Sequence, residues 1–302
     1  MLVDLRDITR PRTLCTLTNA YSLVRFYSAT EISYAPLSFW APGTTTSRLV
    51  RTNVLDQVTR TLVSTETGTI EAWDWSPDGN TLAYFAGDRL WLKAGNQPAA
   101  SVAAFTKQGG RGGGWDDEIL IRFSPTGTYF VLVHTVTSPN TFQVRRASDG
   151  GVVWSSPSGA LDFQSPAFAT MAVWSRGVDR LYFRDGNGLR TWDPSGTVTT
   201  LVPGLRWYEP STSPDGRAIA YMALDAQANP HVELLDLQTF KTRALPSPLR
   251  RGPHFASAGL LLYGSAYANG PPGAAPGVFA YNLSTGLETA LPYDILLDVW
   301  PG

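Results

Sequence analysis

Short stretches in which apolar and polar residues alternate follow one another along the chain, and turns rich in Gly, Pro and Asp separate them. Clear examples are residues 89–93 and 231–236. Period-two alternation with many β-branched and aromatic residues, bounded by such turns, is typical of β-strands. No stretch of a dozen residues shows the period of an amphipathic helix. The pattern therefore predicts an all-β fold.

One turn sequence recurs along the chain. Ser-Pro-Asp-Gly occurs at residues 76–79 and 213–216, and Ser-Pro-Thr-Gly occurs at 124–127. Weaker copies begin at Ser28, Ser175 and Ser257. The copies lie roughly 40–50 residues apart, which is the length of one blade of a β-propeller. Because Pro presets φ, Asp bonds to nearby backbone and Gly supplies a positive φ, each copy predicts a structural turn between the first two strands of a blade.

These strand–turn–strand units, with a Tyr or Phe near the end of the second strand, resemble the blades of TolB-like propellers, which are similar to WD-repeat propellers. The resemblance covers nearly the whole chain and implies one propeller domain over residues 1–302. Six four-stranded blades are predicted at residues 20–64, 70–106, 118–156, 166–203, 206–246 and 253–292. Since such propellers serve as scaffolds, binding modules and appendages of hydrolases, the resemblance specifies a fold and leaves the function open.

The two ends of the chain predict a further blade. Residues 2–17 read like the two outer strands of a blade, and residues 294–300 read like an innermost strand entering its turn. We therefore predict a seven-bladed propeller whose closing blade is shared by both termini, because this arrangement covers the strand edges. A six-bladed propeller with trailing ends is the alternative.

Composition excludes several kinds of partner. The formal net charge is −1 and 16% of the residues are charged, so the chain lacks the basic footprint of a nucleic-acid binder. The single cysteine, Cys15, excludes an internal disulfide and a multi-cysteine metal site. No apolar stretch is long enough for a transmembrane segment. The resemblance implies a monomeric bacterial protein of the periplasm or extracellular space, with any export signal absent from this chain, and the cytoplasm is the alternative.

Catalytic motifs are missing from the sequence. It has no Gly-x-Ser-x-Gly elbow and no phosphate-binding glycine pattern, and its histidines are His134, His231 and His254. We predict no catalytic residues, no metal site and no cofactor, and we interpret His254 as structural. Residues 185–188 resemble a calcium loop, but they lie between two short strands and predict a tight hairpin.

The loops that enter the innermost strands lie together at one end of a propeller, and we predict that they form a binding face. The residues of this face are Trp115, Asp116, Asp117, Glu118, Phe163, Arg206, Trp207, Tyr208, Glu209, Arg251 and His254. The favoured function is a non-catalytic interaction module that binds a protein or a glycan. The alternative is the propeller part of an enzyme, either the gating domain of a prolyl-oligopeptidase-like hydrolase or a propeller lyase or glycosidase. The lyase or glycosidase would need carboxylates, histidines or a metal to converge at the mouth of the channel, and the candidates are Asp116, Asp117, Glu118 and Glu209.

Overall fold

A computed structural model describes residues 2–4, 12–15, 20–28, 30–36, 47–65, 70–106, 119–134, 141–156, 171–265 and 277–291. The chain divides into two compact units, unit 1 over residues 1–106 and unit 2 over residues 107–302. Within the described ranges all regular secondary structure is β, and there is no helix. The all-β prediction is therefore confirmed.

Unit 1 contains a hairpin and two four-stranded sheets. The hairpin pairs β1 (Leu2–Asp4) with β2 (Arg12–Cys15). The first sheet consists of β3 (Ala20–Ser28), β4 (Glu31–Pro36), β5 (Ser47–Asn53) and β6 (Thr59–Thr65). The second sheet consists of β7 (Ile70–Trp75), β8 (Thr81–Ala86), β9 (Arg89–Ala94) and β10 (Ala100–Ala104).

Unit 2 contains four four-stranded sheets among its described residues. The first sheet consists of β11 (Ile119–Phe123), β12 (Tyr129–His134), β13 (Thr141–Arg146) and β14 (Val152–Ser155). The second sheet consists of β15 (Ala172–Trp174), β16 (Leu181–Asp185), β17 (Gly188–Trp192) and β18 (Val198–Pro203). The third sheet consists of β19 (Tyr208–Thr212), β20 (Ala218–Leu224), β21 (Pro230–Asp236) and β22 (Thr242–Pro248), and the fourth consists of β23 (Arg250–Ser257), β24 (Leu260–Ser265), β25 (Val278–Asn282) and β26 (Glu288–Leu291).

Every four-stranded sheet is an antiparallel meander in which neighbouring strands are consecutive in the chain. This is the architecture of a propeller blade. The predicted closing blade needs a strand within residues 294–300, which lie outside the described residues. The seventh blade and the single domain over residues 1–302 therefore stay predictions.

Burial follows the order of the strands within each sheet. In the second sheet of unit 1 and the first three sheets of unit 2 the second strand is almost completely buried, and all five residues of β16 are buried. The fourth strand is mostly exposed or half-buried. In unit 2, aromatic side chains fill the space between the first and second sheets, where the ring centroids of Phe142 and Phe183 lie 5.1 Å apart in an edge-to-face arrangement. The core therefore lies between the faces of neighbouring sheets.

Hydrogen bonds also join neighbouring sheets, and each of them involves an innermost strand. In unit 2, the Trp174 indole N–H donates to the backbone carbonyl of Arg122 at 2.9 Å, and the Thr212 hydroxyl donates to the carbonyl of Trp174 at 2.9 Å. In unit 1, the indole N–H groups of Trp73 and Trp75 both donate to the Ser33 hydroxyl oxygen at 3.0 Å. Satisfying these buried donors fixes the spacing of adjacent sheets.

The recurring turn has the structural role that the sequence predicts. The Ser213 hydroxyl oxygen accepts the N–H of Ala218 at 2.9 Å, and the hydroxyl donates to the Asp215 carboxylate at 2.6 Å. Gly216 has a φ of 69°, which a residue with a side chain rarely adopts. The hydroxyl of Ser213 and then the N–H of Arg217 lower the pKa of Asp215 below its ordinary value of 3.8. Asp215 is therefore a turn residue.

Candidate binding site

Each sheet of unit 2 has two ends, which differ in their side chains and loops. The leading end is defined here as the end where the innermost strand begins and the second strand finishes, and the turn end is the opposite one. The strand pairing places His134 opposite Ile119, Met222 opposite Tyr208 and Gly264 opposite Arg251, all at leading ends. The described residues of the predicted binding face lie at the leading ends of the third and fourth sheets of unit 2.

Both innermost strands at this position contain a β-bulge followed by a proline. The register of β19 shifts between Tyr208 and Ser211, and that of β23 shifts between Arg251 and His254. Bulges re-aim side chains and are common beside functional sites. The residue before the proline has a positive φ in both strands, 49° at Glu209 and 59° at Gly252. Glycine adopts this conformation without strain, whereas a residue with a side chain loses about 1–3 kcal/mol, and a following proline restricts it further.

The side chain of Glu209 reaches from β19 to the neighbouring strand β23. Its Oε1 atom accepts a hydrogen bond from Nη2 of Arg251 at 2.5 Å, and its Oε2 atom accepts the backbone N–H of Gly252 at 2.7 Å. The Glu209 side chain is 13% exposed and that of Arg251 is 48% exposed. The ion pair therefore holds a guanidinium group in one place with half of its surface in solvent.

A second arginine lies at the leading end between the second and third sheets of unit 2. Arg184, at 2% exposure, places its guanidinium carbon 4.6 Å from the centroid of the Tyr208 ring. Its Nη2 atom lies 3.1 Å from the sulfur of Met171. Stacking on an aromatic ring suits the planar guanidinium and supplies a cation–π attraction.

The next residue, Asp185, belongs to the hairpin between β16 and β17. Its carboxylate accepts a hydrogen bond from Nη1 of Arg190 at 2.7 Å and another from the N–H of Asn187 at 2.8 Å. Asp185 also pairs with Gly188 across the strands. Residues 185–188 therefore form the tight hairpin that the sequence predicts.

The structure separates the predicted face residues into four groups, of which the last, Trp207 and Tyr208, is buried. Five of them, Trp115, Asp116, Asp117, Glu118 and Phe163, lie outside the described residues. Among the others, Arg206, Glu209 and Arg251 have surface in contact with solvent, and Glu209 and Arg251 form the ion pair. His254 is half-buried within β23, opposite Leu262.

Trp207 and Tyr208 require a correction, because the sequence analysis assigned them to a binding face. Their exposed fractions are 0% and 8%. The Trp207 ring packs against Tyr221 with 5.9 Å between centroids and belongs to the apolar cluster between the second and third sheets of unit 2. A large aromatic ring at the start of an innermost strand fills the space between two sheets, where burial of its apolar surface stabilises the fold. These two residues therefore belong to the core.

The predicted binding face did not include Arg184. A signal was present in the sequence, because the charged residues Arg184 and Asp185 end the second strand of their sheet, whereas Ala223 and Leu224 end the second strand of the next sheet.

The described residues contain neither a metal-binding cluster nor a membrane-spanning helix. Among the described residues, no group of three or more His, Cys, Asp or Glu side chains is arranged to hold a metal ion. No helix capable of crossing a membrane occurs in the described part of the chain.

No protein-family model and no curated protein matches the sequence. Several solved structures are similar to it. The oligogalacturonate lyase in complex with manganese has a TM-score of 0.62 and 13% identity, over 90% of this chain and 76% of that one. The β-propeller domain of the Trilobed protease from Pyrococcus furiosus has a TM-score of 0.57 and 12% identity, over 87% of this chain and 80% of that one.

TolB from Acinetobacter baumannii is also similar, with a TM-score of 0.50 and 16% identity. The match covers 86% of this chain and 63% of TolB, so the chain spans less than two thirds of that protein. Together these similarities and the four-stranded meanders show that the chain has a TolB-like β-propeller fold. Since the similar structures include a lyase and a domain of a protease, the fold by itself specifies no function.

Proposed function

We propose that this chain is a non-catalytic interaction module that binds a protein partner through the leading end of unit 2. The observation that carries the proposal is the guanidinium of Arg251, which Glu209 holds in place while half of its side chain remains exposed. Arginine is enriched among the residues that contribute most to protein interfaces. A side chain that is already held in position loses less conformational entropy on binding.

Two further observations support a recognition role for this end. Arg206, at the start of the segment that enters β19, is exposed, and its side chain has no hydrogen-bond or ion-pair partner in the described part of the chain. Glu209 adopts a conformation for which glycine is the better residue. Strained backbone is concentrated at functional sites, so the strain at Glu209 favours a role for its carboxylate.

The enzymatic alternative receives less support from the described residues. A glycosidase needs a carboxylate that can exchange a proton with its substrate. Of the four carboxylates considered for this role, Glu209 is the one with a described position, and it is bound to a guanidinium and to a backbone N–H. A carboxylate in this setting suits an ion pair better than acid–base chemistry.

In keeping with its TolB-like fold, we place the module in the periplasm or extracellular space.

Selection of ligands on the intact chain tests the proposal. A phage-displayed peptide library and a glycan array would be applied to the wild-type protein and to the double variant R206E/R251E. The matched control is R217E/K241E, which reverses two exposed positive charges at the turn end of the third sheet of unit 2. Circular dichroism and thermal melting would verify that both variants fold.

We expect selected peptides to bind the wild type and the control variant and to lose at least tenfold in affinity for the R206E/R251E variant. Ligands that bind all three proteins equally would contradict a site at the leading end. Selection of glycans in place of peptides would contradict the protein partner, and the absence of any selective ligand would contradict the interaction module.

A further inference from the structure

We infer that Arg251 and Gly252 form a carboxylate-binding site, that Glu209 occupies this site in the free protein, and that an acidic protein segment binds by replacing the Glu209 carboxylate with its own. This inference rests on the proposed function, since it names the chemistry that the leading end recognises. It assigns Glu209 the role of an internal substitute for the ligand.

The two donors of the site come from consecutive residues of one strand. Nη2 of Arg251 and the N–H of Gly252 both point at the Glu209 carboxylate, at 2.5 Å and 2.7 Å from its two oxygens. A guanidinium beside a backbone N–H of a residue in the left-handed conformation is a favourable arrangement for an anion. Both donors lie in the bulge of β23, and Glu209 supplies only the two acceptor oxygens. Another carboxylate that reaches the bulge can accept the same two hydrogen bonds.

The occupant of the site, in contrast, comes from the neighbouring sheet and holds a strained conformation. Glu209 and Gly252 are equivalent positions, since each has a positive φ and precedes a proline in the bulge of its strand. Glycine at position 209 would remove the strain. The carboxylate therefore explains why Glu stands there.

The exposure of the pair indicates how a ligand arrives. Arg251 is 48% exposed and Glu209 is 13% exposed, so an incoming carboxylate meets the guanidinium before it displaces Glu209. Arg206, three residues before Glu209 in the chain, is exposed and adds positive charge to the segment that enters β19. A segment with several Glu or Asp residues supplies both the anchoring carboxylate and the complementary charge.

Fluorescence anisotropy with labelled hexaglutamate measures the predicted exchange, with hexaglutamine as the uncharged control peptide. The full chain would be compared with E209Q, R251Q and R217Q at about 50 mM salt, where exposed charges are weakly screened. R217Q removes a positive charge at the turn end and controls for net charge. A second variant, E209G, removes the carboxylate together with the backbone strain.

We expect E209Q and E209G to bind hexaglutamate about 3–10-fold more tightly than the wild type, because the competing carboxylate is gone. R251Q is expected to bind at least tenfold more weakly, and R217Q within about twofold of the wild type. In NMR spectra, the Gly252 amide resonance of E209Q should shift relative to wild type and return on addition of hexaglutamate. Weaker or unchanged binding by both Glu209 variants would overturn the self-occupancy, and a resonance unaffected by the peptide would overturn the site.

Two further outcomes separate this inference from the proposed function. Library peptides that need Arg206 and Arg251 but are not displaced by hexaglutamate would overturn the carboxylate exchange and leave the interaction module standing. A trigalacturonate probe that binds more tightly than hexaglutamate would overturn the acidic protein segment as the ligand.

Discussion

The two ends of the sheets in unit 2 are built on different principles. At the turn ends, the backbone N–H groups of Ser124, Ser175 and Ser213 each donate to the carbonyl of the residue five positions later. Glycines with φ between 69° and 78° complete these turns. At the leading ends, equivalent positions carry different residues, such as Glu209 and Gly252, and the contacts cross from one sheet to the next.

This difference indicates that the two ends of a blade have different roles. The turn end repeats because the same local hydrogen bond closes the first hairpin in three of the sheets. The leading end varies because its loops are free of that requirement, and a propeller can therefore carry recognition residues there. If this division is correct, substitutions at the turn end should change stability, and substitutions at the leading end should change binding.

The largest expected effect is at the equivalent turn of the second sheet of unit 1. Gly79 has a φ of 68°, and a Cβ atom there would lie 2.5 Å from the hydroxyl of Tyr27. Gly79→Ala should lower the free energy of unfolding by about 2–4 kcal/mol, measured by urea denaturation. Gly95→Ala is the control, because Gly95 has a φ of 50° with no atom near its would-be Cβ, and it should lose about 1 kcal/mol. Equal losses of unfolding free energy in the two variants would show that the contact with Tyr27 adds nothing to the cost of Gly79→Ala.

Removing the hydroxyl of Ser213 comes next in size. Ser213→Ala leaves the N–H of Ala218 without its acceptor in a buried turn, which should lower the free energy of unfolding by about 1–3 kcal/mol. The affinity for selected peptides should stay unchanged. Ser195→Ala, in an exposed turn, is the control and should lose less than about 0.5 kcal/mol. A loss of peptide binding by Ser213→Ala would contradict the separation of the two ends.

The strain at the leading end predicts smaller differences in stability. Glu209→Gly should be more stable than Glu209→Ala by about 1 kcal/mol, since both lack the carboxylate and alanine keeps the strained φ of 49°. Gly252→Ala should lose a similar amount relative to the wild type, because its φ is 59°. Urea denaturation of the four proteins measures both differences. An alanine as stable as glycine at position 209 would show that the backbone there is unstrained.

The smallest effect concerns acid stability at the turn end. The pKa of Asp215 is lowered from 3.8 in the folded state, first by the Ser213 hydroxyl and then by the Arg217 N–H. A lowered pKa stabilises the fold at pH values above 3.8, and this stabilisation is lost as the pH falls through the folded-state pKa. Between pH 6 and pH 3, the melting temperature of Asp215→Asn should therefore fall less than that of the wild type, by about 1–2 °C. Equal decreases would contradict the contribution of this carboxylate.

Much of the fold follows from short-range patterns in the sequence. The Ser-Pro-Asp-Gly turns predict where the first hairpin of a blade closes, because Ser213, Asp215 and Ala218 bond to one another within six residues of chain. The hairpin at residues 185–188 and the alternating strands are similarly local. Hydrogen bonds between near neighbours depend on residue type and spacing, and both can be read from the sequence.

Tertiary structure decided the rest, because neighbouring sheets bring together residues that are roughly 40–50 positions apart. The turn at residues 124–127 has Thr126 in place of Asp, and the Asp179 carboxylate of the next sheet accepts hydrogen bonds from its N–H at 3.2 Å and its hydroxyl at 2.5 Å. Trp207 is in the core for the same reason, since the preceding sheet covers the start of its strand. The reach of Glu209 to Arg251 and Gly252 likewise depends on the packing of β19 against β23 and on the bulge in each strand. No local pattern encodes that packing, so the site is formed only by the tertiary structure.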